Sequence, residues 1–276
     1  MKLHKLTPAR LIALGFLMII VLGAGLLLLP FASKGEAAKP LDALFTATSA
    51  TCVTGLIVRD TFTGWTVFGQ LVILALIQLG GLGLMTVITL VSFAAGKRLS
   101  LYDRKVLMQS AGNTTLSGVG GLIRRIVPFT FVLELTGAAL LATRFVPALG
   151  WGRGLYASVF HAISAFCNAG FDLMGMREPF SSMTAFVADP VVNLTLCALI
   201  VIGGLGFLVW RDVVRCRFRF SKFQLHTKLV LVTSGILILG AGLLLLIFER
   251  NASMADLTWP QRVLASLFQA VAPRTA

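Results

Sequence analysis

Long apolar runs alternate along this chain with short segments that are too polar to cross a bilayer and too apolar for ordinary loops. Residues 11–29 form an unbroken apolar run of 19, long enough to span a hydrocarbon core of roughly 30 Å at about 1.5 Å per residue. A polar loop, 30–40, leads to residues 41–51, which can form three helical turns. Val53-Thr54-Gly55 follows, setting β-branched residues against a glycine that can take positive φ. Residues 60–64 return to the surface, Trp65 fits an interfacial anchor, and 67–95 reads as a second, longer span interrupted by Gly80-Gly81-Leu82-Gly83. The order then restarts. A third span covers 126–146, a second short helix 151–165, and a fourth span 191–210, which carries Gly203-Gly204-Leu205-Gly206. A fifth span, 229–248, and a third short helix, 259–271, begin another round.

The stretch 45–56, FTATSATCVTGL, is the one around which this order turns. It is too short and too rich in Thr, Ser and Gly to span by itself, and irregular backbone at membrane depth needs protein or a water-filled cavity beside it. Taken alone it is equally compatible with a polar loop between two helices. A short helix ending in an extended, glycine-terminated strand has a further use: its C-terminal end carries partial negative charge, and strand carbonyls can replace the water shell of a small cation. The stretch also recurs, since Phe45, Ser49, Cys52 and Gly55 are matched by Phe160, Ser164, Cys167 and Gly170, 115 residues on. A third copy opens at Phe268 and runs through Arg274, Thr275 and Ala276, where the given sequence stops mid-motif. The expected fold is therefore an all-α integral membrane protein of tandem span–short helix–span (M1-P-M2) units around a pore. Residues 1–98 form a first repeat, 99–222 a cytoplasmic linker with a second repeat, and 223–276 a partial third.

Composition agrees with this class: 57% of residues are hydrophobic and 13% charged, with mean hydropathy +0.90. The net charge of +13 could point to nucleic acid, but 15 of the 24 Lys/Arg lie in segments 1–10, 96–125 and 211–228, against only Asp103 and Asp212 there. Basic residues collect on cytoplasmic loops, so the charge predicts a multi-pass plasma (bacterial inner) membrane protein with its N-terminus inside, and no nucleic-acid partner. A signal peptide would need a shorter apolar core and a small-residue cleavage site. Arg215, Arg217 and Arg219 are candidates for docking a cytosolic partner, or else they set topology and meet anionic membrane lipid.

The four cysteines, 52, 167, 197 and 216, have no C-x-x-C spacing, and the three histidines are scattered, so neither a zinc site nor a disulfide framework is indicated. Paired carboxylates and nucleophile–base pairs are absent from the spans, so an enzyme is not expected. A glycine pattern at 118–121 follows no strand and precedes no phosphate-binding lysine. The two GGLG sequences suit either close helix packing or a gate, and Glu134, inside the third span, is either functional or a buried structural contact.

At FTATSATCVTGL, IQLGGLG and FHAISAFCNAGFD the sequence resembles the Trk/Ktr/HKT superfamily of potassium-translocating membrane subunits. The short basic head entering the first unit directly, and the wording Cys52-Val53-Thr54-Gly55, resemble the Ktr type in particular. The resemblance implies four such units around one potassium pathway, a homodimer, a cytosolic nucleotide-binding regulatory subunit of the RCK, KtrA-like kind, and uptake that depends on sodium. It implies no cofactor in this chain beyond potassium and sodium ions. It also implies a selectivity filter lined through backbone carbonyls by Cys52, Val53, Thr54 and Gly55, by Cys167, Asn168, Ala169 and Gly170, and by Thr275 and Ala276. Four units of two spans and a re-entrant segment would need on the order of 450 residues, so a truncated third repeat is expected here. Two alternatives remain: a secondary transporter with discontinuous helices that binds a small solute at the midplane, and a non-conducting fragment. Helix C-termini aimed inward favour a cation over a carboxylate.

Overall fold

The computed structural model describes residues 8–83 and 119–274, with the side chains of 8, 9, 11 and 119–126 outside that description. The expected second half of span two (84–95), most of the loop 112–121, and Thr275 and Ala276 lie outside the described residues. The described residues are helical, joined by turns, with one isolated bridge between Ser33 and Trp65. The helices are α1 Pro8–Leu27, α2 Pro40–Cys52, the single turn α3 Thr61–Gly64, α4 Val67–Leu82, α5 Val119–Leu149, α6 Trp151–Phe166, α7 Pro190–Gly204, α8 Phe207–Arg215, α9 Leu225–Glu249 and α10 Trp259–Val271.

Their ends follow local chemistry. Pro40 and Pro190 open α2 and α7 at positions where the missing N–H costs nothing. Asp189 caps α7 by accepting from the N–H groups of Val191 (2.8 Å) and Val192 (3.2 Å) and lies 3.4 Å from the Arg144 guanidinium. Thr258 and Gln261 form a reciprocal capping box on α10. Gly150 at φ +85 separates α5 from α6. α5 starts at Val119, so Gly120 and Gly121 are helical and only the earlier part of 112–121 remains available to a loop.

The chain divides into two compact units, Met1–Val132 with Ala169–Phe171, and Leu133–Asn168 with Asp172–Ala276. In the first, α2 packs against both α1 and α4. Gly23 of α1 lies where a Cβ would meet Leu76 Cδ1 of α4 at 2.7 Å. In the second, α6 packs on α7, α10 on α7 and α9, and α8 on α9. Gly137 of α5 faces Leu199 of α7 in the same way, with a Cβ reaching Leu199 Cδ1 at 2.6 Å.

Residues 127–149 and helix α9 are each long and apolar enough to cross a membrane, while Ile12–Leu27 and Val67–Leu82 are shorter apolar helices. The outer surface of α9 is apolar and exposed, at Leu229, Ile236, Leu239 and Leu243 among others, as expected of a face that meets acyl chains rather than water. The expected fourth span is corrected here. Instead of running through 191–210, α7 stops at Gly204, and α8 leaves it at 95°. Gly206 at φ +85 turns the chain, a conformation that glycine adopts without a Cβ clash.

α8 is amphipathic, and its inner face, Val209 and Val213, packs with Phe223, Val230 and Leu231 at the start of α9. Asp212 is buried on the same side. Its carboxylate accepts from the Gln224 N–H (2.9 Å), from Thr227 and, at 3.7 Å, from the Cys216 thiol. Burial pushes the Asp212 carboxyl up, but these hydrogen bonds and the Arg215 charge outweigh it and hold it below the ordinary carboxylate value. A carboxylate depressed in the folded state adds stability that is complete above its unfolded pKa, about 3.9, and is lost as pH falls through its folded value. Asp212→Ala, which strands the Thr227 hydroxyl, should cost about 1–3 kcal/mol. Thermal unfolding in detergent should show a lower Tm for the variant at pH 7 and a smaller drop than the parent on acidification below about pH 4. An unchanged Tm at pH 7 would show that the α8–α9 corner does not depend on this carboxylate.

Candidate functional site

Both glycine-terminated segments leave a short helix by the same backbone route. At the end of α2, Val53 takes the left-handed conformation (φ 58, ψ 46), unusual for a β-branched residue. The Thr54 N–H turns back to the Ser49 carbonyl (2.9 Å) and its hydroxyl donates to Ser49 Oγ (2.8 Å). Because that N–H does not continue the helical ladder, the last carbonyls of α2 stand at the negative end of its dipole. Gly55 follows at φ +76. At the end of α6, Asn168 repeats the left-handed turn (φ 58) and Gly170 the positive φ (+74). The Asn168 N–H bonds the Ala165 carbonyl at 3.1 Å. The hydrogen-bond network orients its amide so that the nitrogen donates to Ile200 O (2.9 Å) and the oxygen accepts from the Gly204 N–H (3.1 Å), both on α7.

The glycines of the two GGLG sequences divide into two roles. The first, Gly80 and Gly203, press their Cα on the carbonyls of Thr51 and Phe166 at the ends of α2 and α6, where a Cβ would collide with the oxygen. The last, Gly83 and Gly206, take φ +78 and +85 with open space around the position of a Cβ. Close packing and a break in the helix are thus both present, three residues apart.

Residues Ala169–Phe171 belong to the same compact unit as Gly55. A Cβ on Gly55 would stand 2.9 Å from the Ala169 carbonyl oxygen and 3.2 Å from Gly170 Cα, and one on Gly170 would stand 3.1 Å from Gly55 Cα. Gly55, Ala169 and Gly170 are therefore brought together backbone to backbone. Cys52, Thr54 and Gly170 are exposed, Val53, Gly55 and Asn168 half-buried, and Cys167 and Ala169 buried. The third segment is described as far as Arg274, whose Nη1 donates to Ser234 Oγ on α9 at 2.9 Å. Arg215, Arg217 and Arg219 stand together on the end of α8 and the following turn, and all three are exposed.

Two supporting residues were not distinguished by sequence. His161 is buried, with Nδ1 2.6 Å from the Ala157 carbonyl and Nε2 accepting from the Leu173 N–H at 3.2 Å. That arrangement fixes the neutral tautomer protonated on Nδ1 and pins the chain after Gly170 to α6. Asn168 was expected for its backbone only, yet its side chain fastens the turn to α7. Glu134 is 3% exposed on α5 and near enough to Cys167 for its carboxylate to act on the thiol, so it stands beside the second segment.

A family profile described as "TrkH: Cation transport protein" matches residues 16–276. The chain is 45% identical to the Ktr system potassium uptake protein B of Bacillus subtilis, over 100% of this chain and 61% of that protein. It is 42% identical to the potassium/sodium uptake protein NtpJ of Enterococcus hirae, over 99% of this chain and 59% of the relative. A Ktr system potassium uptake protein B of Vibrio alginolyticus is 40% identical over 97% and 58%. The chain thus spans about 60% of the length of these relatives. With apolar helices of spanning length and a match across nearly all its residues, the chain belongs to the TrkH family of membrane cation transport proteins.

Proposed function

We propose that this chain takes part in potassium uptake across the plasma membrane, with a cation filter built from Cys52 to Gly55 and Cys167 to Gly170 and continued by Thr275 and Ala276. The observation that carries the proposal is the pair of identical backbone routes, left-handed at Val53 and Asn168 and glycine-positive at Gly55 and Gly170, with the two glycines in contact. Alternation of that kind lets successive carbonyls point to one side of a strand, as a dehydrated cation requires. The C-terminal ends of α2 and α6 each add negative potential at the segment that leaves them. The repeat boundaries near 98 and 222, a homodimer, and regulation by a cytosolic nucleotide-binding subunit belong to the same proposal, and no chemical step is assigned to the chain. The basic segments 1–10, 96–125 and 211–228 support an N-terminus in the cytoplasm.

Gly55→Ser places a Cβ against the Ala169 carbonyl in a conformation that costs a side chain about 1–2 kcal/mol. Since 1.4 kcal/mol is a factor of ten in relative affinity, Gly55→Ser should lower potassium-over-sodium selectivity about tenfold or more, and Gly170→Ser should act alike. Gly23, in the first span, does not serve as a neutral comparison, because it packs on Leu76; Gly25, with nothing within 4 Å, does. Rubidium uptake against external potassium and sodium, in cells lacking their own potassium uptake, is the measurement. If Gly55→Ser matched Gly25→Ser in both affinity and sodium exclusion at equal membrane abundance, the filter assignment would be lost.

Sodium dependence is proposed as well, supported by the printed name of the Enterococcus relative, a potassium/sodium uptake protein. Rubidium uptake should rise several-fold when external choline is replaced by sodium at millimolar concentration. A flat response would leave potassium uptake standing and remove sodium as its co-ion.

A further inference from the structure

Segment 207–225 combines features that neither ion conduction nor the packing of α8 accounts for. α8 leaves the apolar helix α7 at 95°, and it packs at the start of the spanning helix α9, a placement that suits a helix lying along the membrane boundary. Its apolar face is already covered by Phe223 and α9. Beyond that covered face, large apolar side chains remain exposed, with Phe218 at 73%, Phe220 at 51% and Leu225 at 74%. In sequence Phe218 and Phe220 alternate with Arg217 and Arg219, beginning two residues after Arg215. Consecutive left-handed residues, Arg217 (φ 50) and Phe218 (φ 60), set this turn.

The segment is also tied to the ends of two membrane helices. The Trp210 indole N–H donates to Ile202 O at the end of α7 (2.8 Å). On the other side Lys228, in the first turns of α9, donates to Ser221 O (3.1 Å) and holds its ammonium 5.8 Å from the Phe220 ring. Phe220 therefore adjoins the start of the helix whose exposed apolar face meets acyl chains. Asp212, the one acidic residue of 207–228, is buried with its oxygens engaged, and its single negative charge leaves the six Lys/Arg of this stretch in large excess.

We propose that the Arg215–Arg219 turn docks anionic phospholipid headgroups, with Phe218 and Phe220 entering the headgroup–acyl boundary. The proposal rests on the membrane reading of α7 and α9 and is independent of which side the segment faces. Charge complementarity and continuity with the exposed apolar face of α9 favour lipid over a cytosolic protein as the occupant: Phe220 adjoins Lys228 in the first turns of α9, and rings at that depth are usual companions of an interfacial basic cluster.

The test uses the protein as purified from membranes in mild detergent, titrated with phosphatidylglycerol or phosphatidylcholine, with lipid retention read by native mass spectrometry. The parent should retain phosphatidylglycerol at least about tenfold better, and raising salt from about 0.1 to 1 M should erase most of that preference. Arg215→Gln/Arg217→Gln/Arg219→Gln should lose it, whereas the three Lys replacements should keep it. Phe218→Ser/Phe220→Ser should weaken retention of both lipids while leaving the preference. A parent that does not discriminate, a preference indifferent to salt, or a Gln variant that keeps the preference while losing capture of a cytosolic protein would each overturn the proposal. The salt titration needs only the parent, so it decides even if a variant fails to fold. Orientation is read separately: a Ser221→Cys thiol labelled only from outside would reverse the topology proposed above without touching the lipid preference.

Discussion

A short helix that ends inside a membrane protein leaves its last carbonyls unpaired, and those carbonyls must face either an ion, water or a closely fitted neighbour. In this chain the neighbour is a glycine. Gly80 presses on the Thr51 carbonyl and Gly203 on that of Phe166, and because neither carries a Cβ the following helix can lie directly against the end of the short one. The position of the filter candidates follows from that contact, since Cys52 to Gly55 and Cys167 to Gly170 begin one residue beyond the carbonyls so held. A residue larger than glycine would push α4 or α7 away from the short helix, and the strand that leaves it would lose its backing.

The same two units share a second small-residue contact, Gly23 against Leu76 and Gly137 against Leu199. Helices in lipid gain little from burying apolar surface on one another, so close approach through small residues carries much of their association. Matching contacts at Gly23 and Gly137, at Gly80 and Gly203, and at the left-handed turns Val53 and Asn168 are what a duplicated packing scheme leaves behind. They explain why the sequence likeness between the two segments is confined to a few positions. Phe, Ser, Cys and Gly recur at fixed spacing, whereas the apolar residues between them need only be apolar.

Much of this was legible in the sequence. The short helices were expected at 41–51, 151–165 and 259–271 and stand at Pro40–Cys52, Trp151–Phe166 and Trp259–Val271, because each is bounded by a proline, a glycine or a motif with its own backbone demand. The bend after Gly204 was not foreseen. Hydropathy continues through Phe207, Leu208, Val209 and Trp210, and a window that averages apolar character cannot tell a spanning helix from one that turns along the interface. The signal was Gly206 itself, whose GGLG sequence suits packing or a gate but whose φ also sets direction. Gly23 and Gly25 show a related limit: a glycine in a uniformly apolar run gives no sign of whether it faces outward, as Gly25 does, or the side chain of another helix, as Gly23 does. The roles of His161 and the Asn168 amide depend on partners 12 and more residues away, which no local pattern records.

The two segments reach one backbone shape by different means. In the first, Ser49 and Thr54 close the turn within α2 itself, through the Thr54 N–H and hydroxyl, and Val53 adopts a left-handed conformation that its branched side chain resists. In the second, Asn168 adopts that conformation readily and its amide bridges to Ile200 and Gly204, while His161 secures the chain beyond. The first turn is held by its own helix against local strain, and the second is held by the helix that follows. A displacement of α7 therefore acts on Asn168 directly through two hydrogen bonds, whereas a displacement of α4 acts on the first turn through the packing of Gly80 on the Thr51 carbonyl and the Val53 side chain. Two segments with matching backbones are thus coupled differently to the helices that back them, the first by packing and the second by hydrogen bonds, and a movement of α7, which turns into α8 at Gly206, acts on the backbone of its segment through the Asn168 amide.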